Sequence, residues 1–350
     1  MSPGPRRPLR LGVVGCGKVT QNVHLPAIAK SSSCDLVAVC DVSRAVIDGV
    51  ARRYGVERAY TDLDALLADA AVDAVLVAVG DPHHVPVALR ALEAGRHVLL
   101  EKPLGTSAAE CRPLRAAVAR SGLVLQVGVM KRCDPGLAYA RRAIADLGAV
   151  HSFGVWYRAS ADPYVDEASV FLPVIRDPGY ERPPYKLDRQ PYYLAGHGAH
   201  LFDSVRYLLG DVTSVVADLA VHDSTCAWHG LLRMAEGAIG HFDLAVYVES
   251  EWAEGLDAYG EGGSVHVRSP NPFYLRPSTV RVFERASRAW REPSFPDGDP
   301  YLRQLDAFAA SVLDGAPVIA SVEDGIAALE LIEAVASSVA SGIRVELSRG

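Results

Sequence analysis

The 350 residues contain no run approaching the roughly 18 apolar residues that a membrane-crossing helix needs. They also lack an excess of positive charge. Lys and Arg number 35 against 42 Asp and Glu, a formal net charge of −7, which argues against a broad nucleic-acid or anionic-membrane surface. The six cysteines (16, 34, 40, 111, 133 and 226) include no C-x-x-C pair and suit a reducing compartment better than a disulfide framework. No apolar h-region follows Arg6-Arg7, which speaks against a secretory or twin-arginine signal. Internal repeats and low-complexity tracts are missing too. The expectation is a cytoplasmic protein of enzyme size with no nucleic-acid or membrane partner.

The length suits two domains better than one core. Near the N-terminus, Leu9 to Val14 reads as a strand that runs into Gly15-Cys16-Gly17, with a helical pattern from about Lys18 to Lys30. A dinucleotide fingerprint needs this order: one glycine makes the tight turn, the next lets the backbone approach a pyrophosphate, and the helix N-terminus faces the negative charge. Gly15, Cys16, Gly17, Lys18 and Val19 are therefore candidate cofactor contacts. Thr20 stands where Gly or Ala is usual, implying a slightly wider helix–strand contact. A second apolar run, Leu36 to Cys40, ends at Asp41. That is where a carboxylate accepts from both ribose hydroxyls and repels a 2′-phosphate, which favours NAD, with NADP possible because Ser43 and Arg44 can reach a phosphate on that side. The alternative is that Asp41 caps the helix starting near Ser43.

Short apolar strands then alternate with helices as far as Val129: strands at Ala74–Val79, His97–Leu100 and Val124–Val129, helices at Ala45–Tyr54, Leu63–Ala70, Val85–Ala94 and Ser107–Ser121. The pattern describes a doubly wound parallel sheet, buried on both faces, that binds ligand at the carboxyl ends of its strands. Val79, Asp81-Pro82-His83-His84 and Glu101-Lys102-Pro103 fall at such ends. Hydride transfer from an alcohol carbon needs a base for the hydroxyl proton. Lys102 is the candidate, because a positive oxidised nicotinamide nearby favours a neutral amine. Glu101 is assigned to the nicotinamide ribose or to holding the loop.

From about Lys131 the alternation breaks down. Val150 to Tyr157 reads as a strand, followed by some 35 residues rich in Pro, Tyr and Arg up to Tyr193. The aromatics and the charged Asp162, Arg176, Asp177, Arg182, Lys186 and Asp188 point to an ordered substrate loop. Ala199 to Leu209 is an amphipathic helix closed by Gly210. Strand patterns in unbroken series from Val212 to about Phe283 imply an antiparallel sheet, and helices at Leu302–Leu313 and Gly325–Ser341 end the chain. The expected architecture is a Rossmann domain over 8–130 and an α+β domain over 131–350 built on an open, mainly antiparallel sheet. His197-x-x-His200, with His83 and His84, raises the question of a metal. No carboxylate or cysteine stands at the spacing that would make one specific, so none is assigned.

Several motifs in register resemble the Gfo/Idh/MocA oxidoreductases: Gly-Cys-Gly-Lys at 15–18, Ala91 to Val98, Glu101-Lys102-Pro103-Leu104, and Val127-Gly128 followed by Lys131-Arg132 and Asp134-Pro135. The stretch Gly325 to Gly342 is similar to the family's closing helix. The resemblance implies NAD(P)-dependent oxidation or reduction of a sugar or cyclitol carbon, a lysine of E-K-P that contacts both cofactor and substrate, and His84 lining the cofactor site. It also implies a homodimer or homotetramer formed through the C-terminal sheet. The family's second acid–base group comes from an Asp-x-x-x-His motif at the start of the second-domain helix. His200 matches the histidine, while Gly196 stands at the aspartate position. His200 is then the acid–base, with His197 sharing its face or a phenol of Tyr192 or Tyr193 as alternatives. A structural role for both histidines is the remaining alternative. Arg132, Trp156 and Arg158 are candidate substrate contacts alongside Tyr193. Loss of the aspartate leaves a second reading, a non-catalytic regulator or sensor that keeps the fold and the cofactor.

Overall fold

A computed structural model describes residues 7–160 and 171–347; Arg6 and Asp162 lie outside the described residues. The chain divides into two compact units. The first takes the described residues of Met1–Met130 and Val170–Glu181, with Tyr301–Ile326; the second takes those of Lys131–Ser169, Arg182–Pro300 and Ala327–Gly350.

The first unit is built on six strands: β1 Leu9–Val14, β2 Cys34–Cys40, β3 Arg58–Tyr60, β4 Ala74–Val77, β5 His97–Glu101 and β6 Leu125–Gly128. All pairs are parallel and the order is β3-β2-β1-β4-β5-β6. Strand order therefore reverses between β1 and β4, which opens a ligand crevice at their carboxyl ends. The central strands are apolar on both faces, as a sheet covered by helices on each side requires. The covering helices include α1, whose Leu25–Lys30 part follows a π-turn at Thr20–His24, then α2 Arg44–Tyr54, α3 Leu63–Ala68, α4 His84–Glu93 and α5 Ala108–Ser121.

The second unit holds helices α6 Pro135–Ala145 and α7 Arg189–Leu209 and nine strands. These are β7 Val150–Ser160, β8 Val212–His222, β9 Thr225–Met234, β10 Ile239–Val248, β11 Ala253–Gly260, β12 Gly263–Ser269, β13 Thr279–Glu284, β14 Ala289–Arg291 and β15 Val345–Glu346. The order is β14-β13-β12-β11-β7-β10-β9-β8-β15; β7 and β10 run parallel and every other pair is antiparallel. The open, mainly antiparallel sheet expected from the sequence is present. Helices α8 Pro300–Asp314 and α9 Val322–Ser341 complete the chain.

Two expectations change. Asp134 accepts from the N–H groups of Gly136 and Leu137 and so caps α6, a helix that the apparent break after Lys131 concealed. Helix α7 begins at Arg189 and not at Ala199. Its buried stripe of Leu194, Gly198, Leu201, Val205 and Leu208 keeps a three-to-four-residue spacing across Gly196 and Gly198, and packing on that stripe overrides the poor helix propensity of two glycines. Tyr192, Tyr193, Gly196, His197 and His200 are thus helical, and His200 sits mid-helix, not in a first turn.

Candidate active site

In the first unit, the glycine turn leaves β1 with Gly15 at φ +90°. A Cβ there would lie 2.5 Å from the Ala78 carbonyl oxygen, so both the backbone angle and the close approach to the end of β4 demand glycine. Gly17 has open space in the same test, which leaves its backbone accessible to a ligand. Helical residues begin at Lys18, and the helix widens where Thr20 sits, since the Leu25 N–H reaches back five residues to Thr20 O. The buried Thr20 hydroxyl donates to Gly15 O at 2.7 Å and ties the helix to the turn. Asp41, at the end of β2, accepts from the Cys16 N–H at 2.7 Å and the Ser43 N–H at 2.9 Å. The residue that caps α2 is Ser43, through the Val46 N–H, so the alternative in which Asp41 caps that helix fails. Arg44 pairs with Asp48 one turn on at 3.1 Å. Burial pushes up the thiols of Cys16, of Cys34 (to about 12) and of Cys40 (to about 11), with Asp41 adding for Cys16 and Cys40 and Asp306 for Cys34. None of the three is a thiolate nucleophile at neutral pH.

At the carboxyl end of β5, Glu101 is 9 % exposed and accepts from His24 Nε2 of α1 at 2.7 Å, while His24 is 1 % exposed. The other Glu101 oxygen accepts from the Lys102 N–H at 3.0 Å. Burial alone would raise the Glu101 carboxyl; the His24 hydrogen bond and the nearby Lys102 and His84 outweigh it and hold it below the usual carboxylate range. Glu101 thus bonds the backbone of its own loop and sets the position from which the half-buried Lys102 projects. His24 was missed; its signal is a lone histidine on the first helix, which sequence alone cannot tell from a core residue. His84 is 1 % exposed and places Nδ1 2.6 Å from Pro103 O and Nε2 3.2 Å from Val79 O. It brackets the ends of β4 and β5 together, and Val79 joins it through its carbonyl.

In the second unit, Tyr157 of β7 is the hub. His197 Nδ1 lies 3.2 Å from its hydroxyl, and the His200 ring is stacked parallel to its ring at 6.2 Å. Trp252 meets the ring edge-on at 5.0 Å and the Lys131 ammonium lies 4.7 Å from its centroid. Lys131 is also paired with the buried Glu254, whose carboxyl burial holds above its usual range against the pull of Lys131. The two candidate histidines do share a face, three residues apart on α7. Tyr193 is buried, stacks on Tyr247 at 5.3 Å and approaches His197 edge-on at 6.2 Å. Burial first, then Tyr247, raises its phenol, which keeps it protonated. Tyr157 itself was read only as the end of a strand.

The remaining candidates do not join this cluster. Side chains alternate along β7, so Trp156 and Arg158 project from the sheet face opposite Tyr157. There the Arg268 guanidinium covers the Trp156 ring at 4.5 Å, and Arg158 Nε bonds Asp243 at 2.7 Å. Arg132 is buried, with Nε and Nη2 on the Asp203 carboxylate of α7 at 2.7–3.1 Å, which fixes that helix. The charged loop residues divide as well: Asp177 lies with the first unit, bonded to Ser43, whereas Lys186 sits over the Tyr185 and Tyr192 rings. Among the described residues no group of three or more His, Cys, Asp or Glu is arranged to hold a metal ion, and no helix is long and apolar enough to cross a membrane.

The model of an oxidoreductase family with an NAD-binding Rossmann fold matches residues 9–129, and the model of that family's C-terminal α/β domain matches 193–347. The chain belongs to the Gfo/Idh/MocA oxidoreductases. Similar proteins include an inositol 2-dehydrogenase of Rhizobium meliloti, 25 % identical over 97 % of this chain and 99 % of its own length, and inositol 2-dehydrogenase 2 of Saccharopolyspora erythraea, 29 % identical over 95 % and 94 %. Among solved structures, GenD2 from gentamicin A biosynthesis, in complex with NAD, superposes with a TM-score of 0.77 at 26 % identity and covers 100 % of this chain and 99 % of its own. As a member of the family, this oxidoreductase carries an NAD-binding domain. Its residues fit that cofactor: Gly15 is locked into the turn, Gly17 is open, and Asp41 stands at the end of β2.

Proposed function

We propose that this oxidoreductase interconverts a secondary hydroxyl and a ketone on a sugar, cyclitol or sugar derivative, with NAD as its dinucleotide. The observation that carries the reading is the end of β5, where the Glu101–His24 pair fixes the backbone of Lys102 beside the cofactor turn's own sheet. The relatives named inositol 2-dehydrogenases support a polyol as the substrate class. Bound NAD supplies the hydride acceptor or, in reduced form, the donor. Gly15, Cys16, Gly17, Lys18 and Val19 cradle the pyrophosphate, and Asp41 takes the ribose hydroxyls, exchanging its bond from Cys16 for them. Lys102 Nζ takes the substrate's hydroxyl proton during oxidation and returns it during reduction. His200 shares that proton work, with His197 and Tyr157 as the adjoining hydrogen-bonding groups. The protein works in the cytoplasm as a homodimer or homotetramer assembled through the C-terminal sheet; none of its six cysteines, all among the described residues, is in a disulfide.

The test is incubation with NAD(+) or NADP(+) and a panel of cyclitols, aldoses and keto sugars, following absorbance of the reduced cofactor. Turnover of a polyol supports the reading. Gly196, which puts no carboxylate on the face of His200, favours a second reading: a regulator that binds the dinucleotide without turning a substrate over. Tight cofactor binding that alters affinity for a partner protein, with no turnover across the panel, selects it.

A further inference from the structure

Residues 171–181 follow β7 in sequence yet belong to the first unit, and they are seated there by four separate contacts. The Gln21 amide grips Ile175 twice, accepting from its N–H at 2.8 Å and donating to its carbonyl at 2.9 Å. The Ile175 side chain rests on Gly49 of α2, where a Cβ would come within 2.9 Å of it. Arg53 donates to Pro173 O at 2.9 Å. Finally, the Ser43 hydroxyl donates to the Asp177 carboxylate, whose other oxygen accepts from the Gly179 N–H at 2.7 Å.

We propose that this segment is a strap whose Asp177 acts as a second cofactor-selecting carboxylate, so that Asp41 and Asp177 together exclude a 2′-phosphate and commit the protein to NAD over NADP. The inference rests on the reading of the β2 end as the adenosine-ribose edge of the NAD site. Ser43 links the two acids: its N–H donates to Asp41 and its hydroxyl to Asp177, which places both carboxylates one hydrogen bond from the same residue. A phosphate arriving there would look to the Ser43 hydroxyl, the positive N-terminal end of α2 and the Arg44 guanidinium. Each is already taken. The hydroxyl serves Asp177 while accepting from the Val46 N–H, the Ser43 N–H serves Asp41, and Arg44 serves Asp48. The hydrogen bonds from Ser43 and Gly179 hold the Asp177 carboxyl below the usual range, so it is ionised at neutral pH. The sequence offered Ser43 and Arg44 as phosphate contacts; the strap converts the same edge into an acidic one.

The test titrates the full-length protein with NADH and with NADPH, reading nicotinamide fluorescence, and takes the ratio of the two dissociation constants. The wild type should prefer NADH. Asp177→Asn, a near-isosteric change at a half-buried position, should lower the ratio by about tenfold, as expected on removing one of two like charges beside a bound phosphate, and added salt should narrow the wild-type ratio. Gly49→Leu fills the seat of Ile175 and should lower the ratio in the same direction with Asp177 intact. A ratio unchanged within about twofold in Asp177→Asn overturns the proposal, since one charge removed beside a phosphate must register. So does a drop in Asp177→Asn with none in Gly49→Leu, because the strap's seat would then not position the acid. A wild type that binds neither dinucleotide removes the NAD reading, and this inference with it; one that binds both equally removes this inference alone.

Discussion

Replacing His24 with alanine tests whether the end of β5 is held by the buried hydrogen bond between that imidazole and the Glu101 carboxylate. The variant removes the partner of Glu101 while leaving that carboxylate 9 % exposed, against 1 % for the histidine it loses. Deleting one member of a buried pair costs about 3–5 kcal/mol, because the remaining charge is left uncompensated. Loss of the edge-on contact with Tyr301, at 5.4 Å between centroids, adds about 1 kcal/mol. For a unit of this size the carboxylate part alone corresponds to a fall in melting temperature of roughly 6 to 20 °C. The pH dependence gives the sharper test. In the wild type the Glu101 carboxyl is held below its unfolded value, so its contribution is present above about pH 4.3 and is lost as pH falls through the lower folded value. Without His24 its hydrogen bond and charge are gone, and burial, opposed only by Lys102 and His84, lifts the folded value above the unfolded one. The variant then gains stability as pH falls from neutral towards about 4.3, where the carboxyl protonates. Thermal unfolding followed by circular dichroism at neutral pH and near pH 5 should therefore show the gap between the proteins shrinking. The double change His24→Leu with Glu101→Met should recover most of the loss, since neutral side chains need no partner. A gap under about 1 kcal/mol, or one constant across that pH range, refutes the buried-pair argument.

Lys102→Met should cut turnover by about a hundredfold to ten-thousandfold while leaving NADH binding within roughly tenfold; full activity would remove the lysine from the proton step. Gly15→Ala sets a Cβ 2.5 Å from the Ala78 carbonyl oxygen at a φ of +90°, so it should cost about 1–3 kcal/mol in a denaturant titration and weaken NADH binding; wild-type values for both would contradict the turn geometry. Tyr157→Phe deletes the hydroxyl beside His197 for about 0.5–1.5 kcal/mol of stability and should change the pH profile of turnover, whereas an unchanged profile would reduce that contact to packing. Gly196→Asp enters open space on a helix, so stability should hold within about 1 kcal/mol and the His200 limb of the profile should move to higher pH; an unmoved limb would mean that position 196 does not face the imidazole.

The first unit was legible because its signals are local. Apolar strands buried on both faces read as continuous runs, the fingerprint turn sits at a strand end, and an acid follows at the end of the second strand. What hid was long-range. His24 reaches Glu101 across 77 residues and Ile175 reaches Gln21 across 154, and no spacing rule connects such positions. In the second unit the glycines at 196 and 198 concealed the first ten residues of α7, because propensity weighs each residue alone while the stripe from Leu194 to Leu208 is stabilised by burial. Trp156 and Arg158 are hard to place from sequence for a different reason. A strand offers two faces, and only the neighbours Asp243 and Arg268, far along the chain, reveal which one a side chain occupies.

Gly196 looks like a loss when only α7 is considered, because a carboxylate four residues before His200 would steady an imidazolium. The face of the helix is shared with β7, however, and Tyr157 fills that role differently. Its ring lies parallel to His200 and its hydroxyl meets His197, so both imidazoles are oriented by one rigid side chain with two rotatable bonds. The charge nearby is balanced within the strand layer: Lys131 over the Tyr157 ring is answered by Glu254. Orientation and charge stabilisation, which a single aspartate combines, are here separated. Orientation stays with Tyr157, and the charge balance with Lys131 and Glu254.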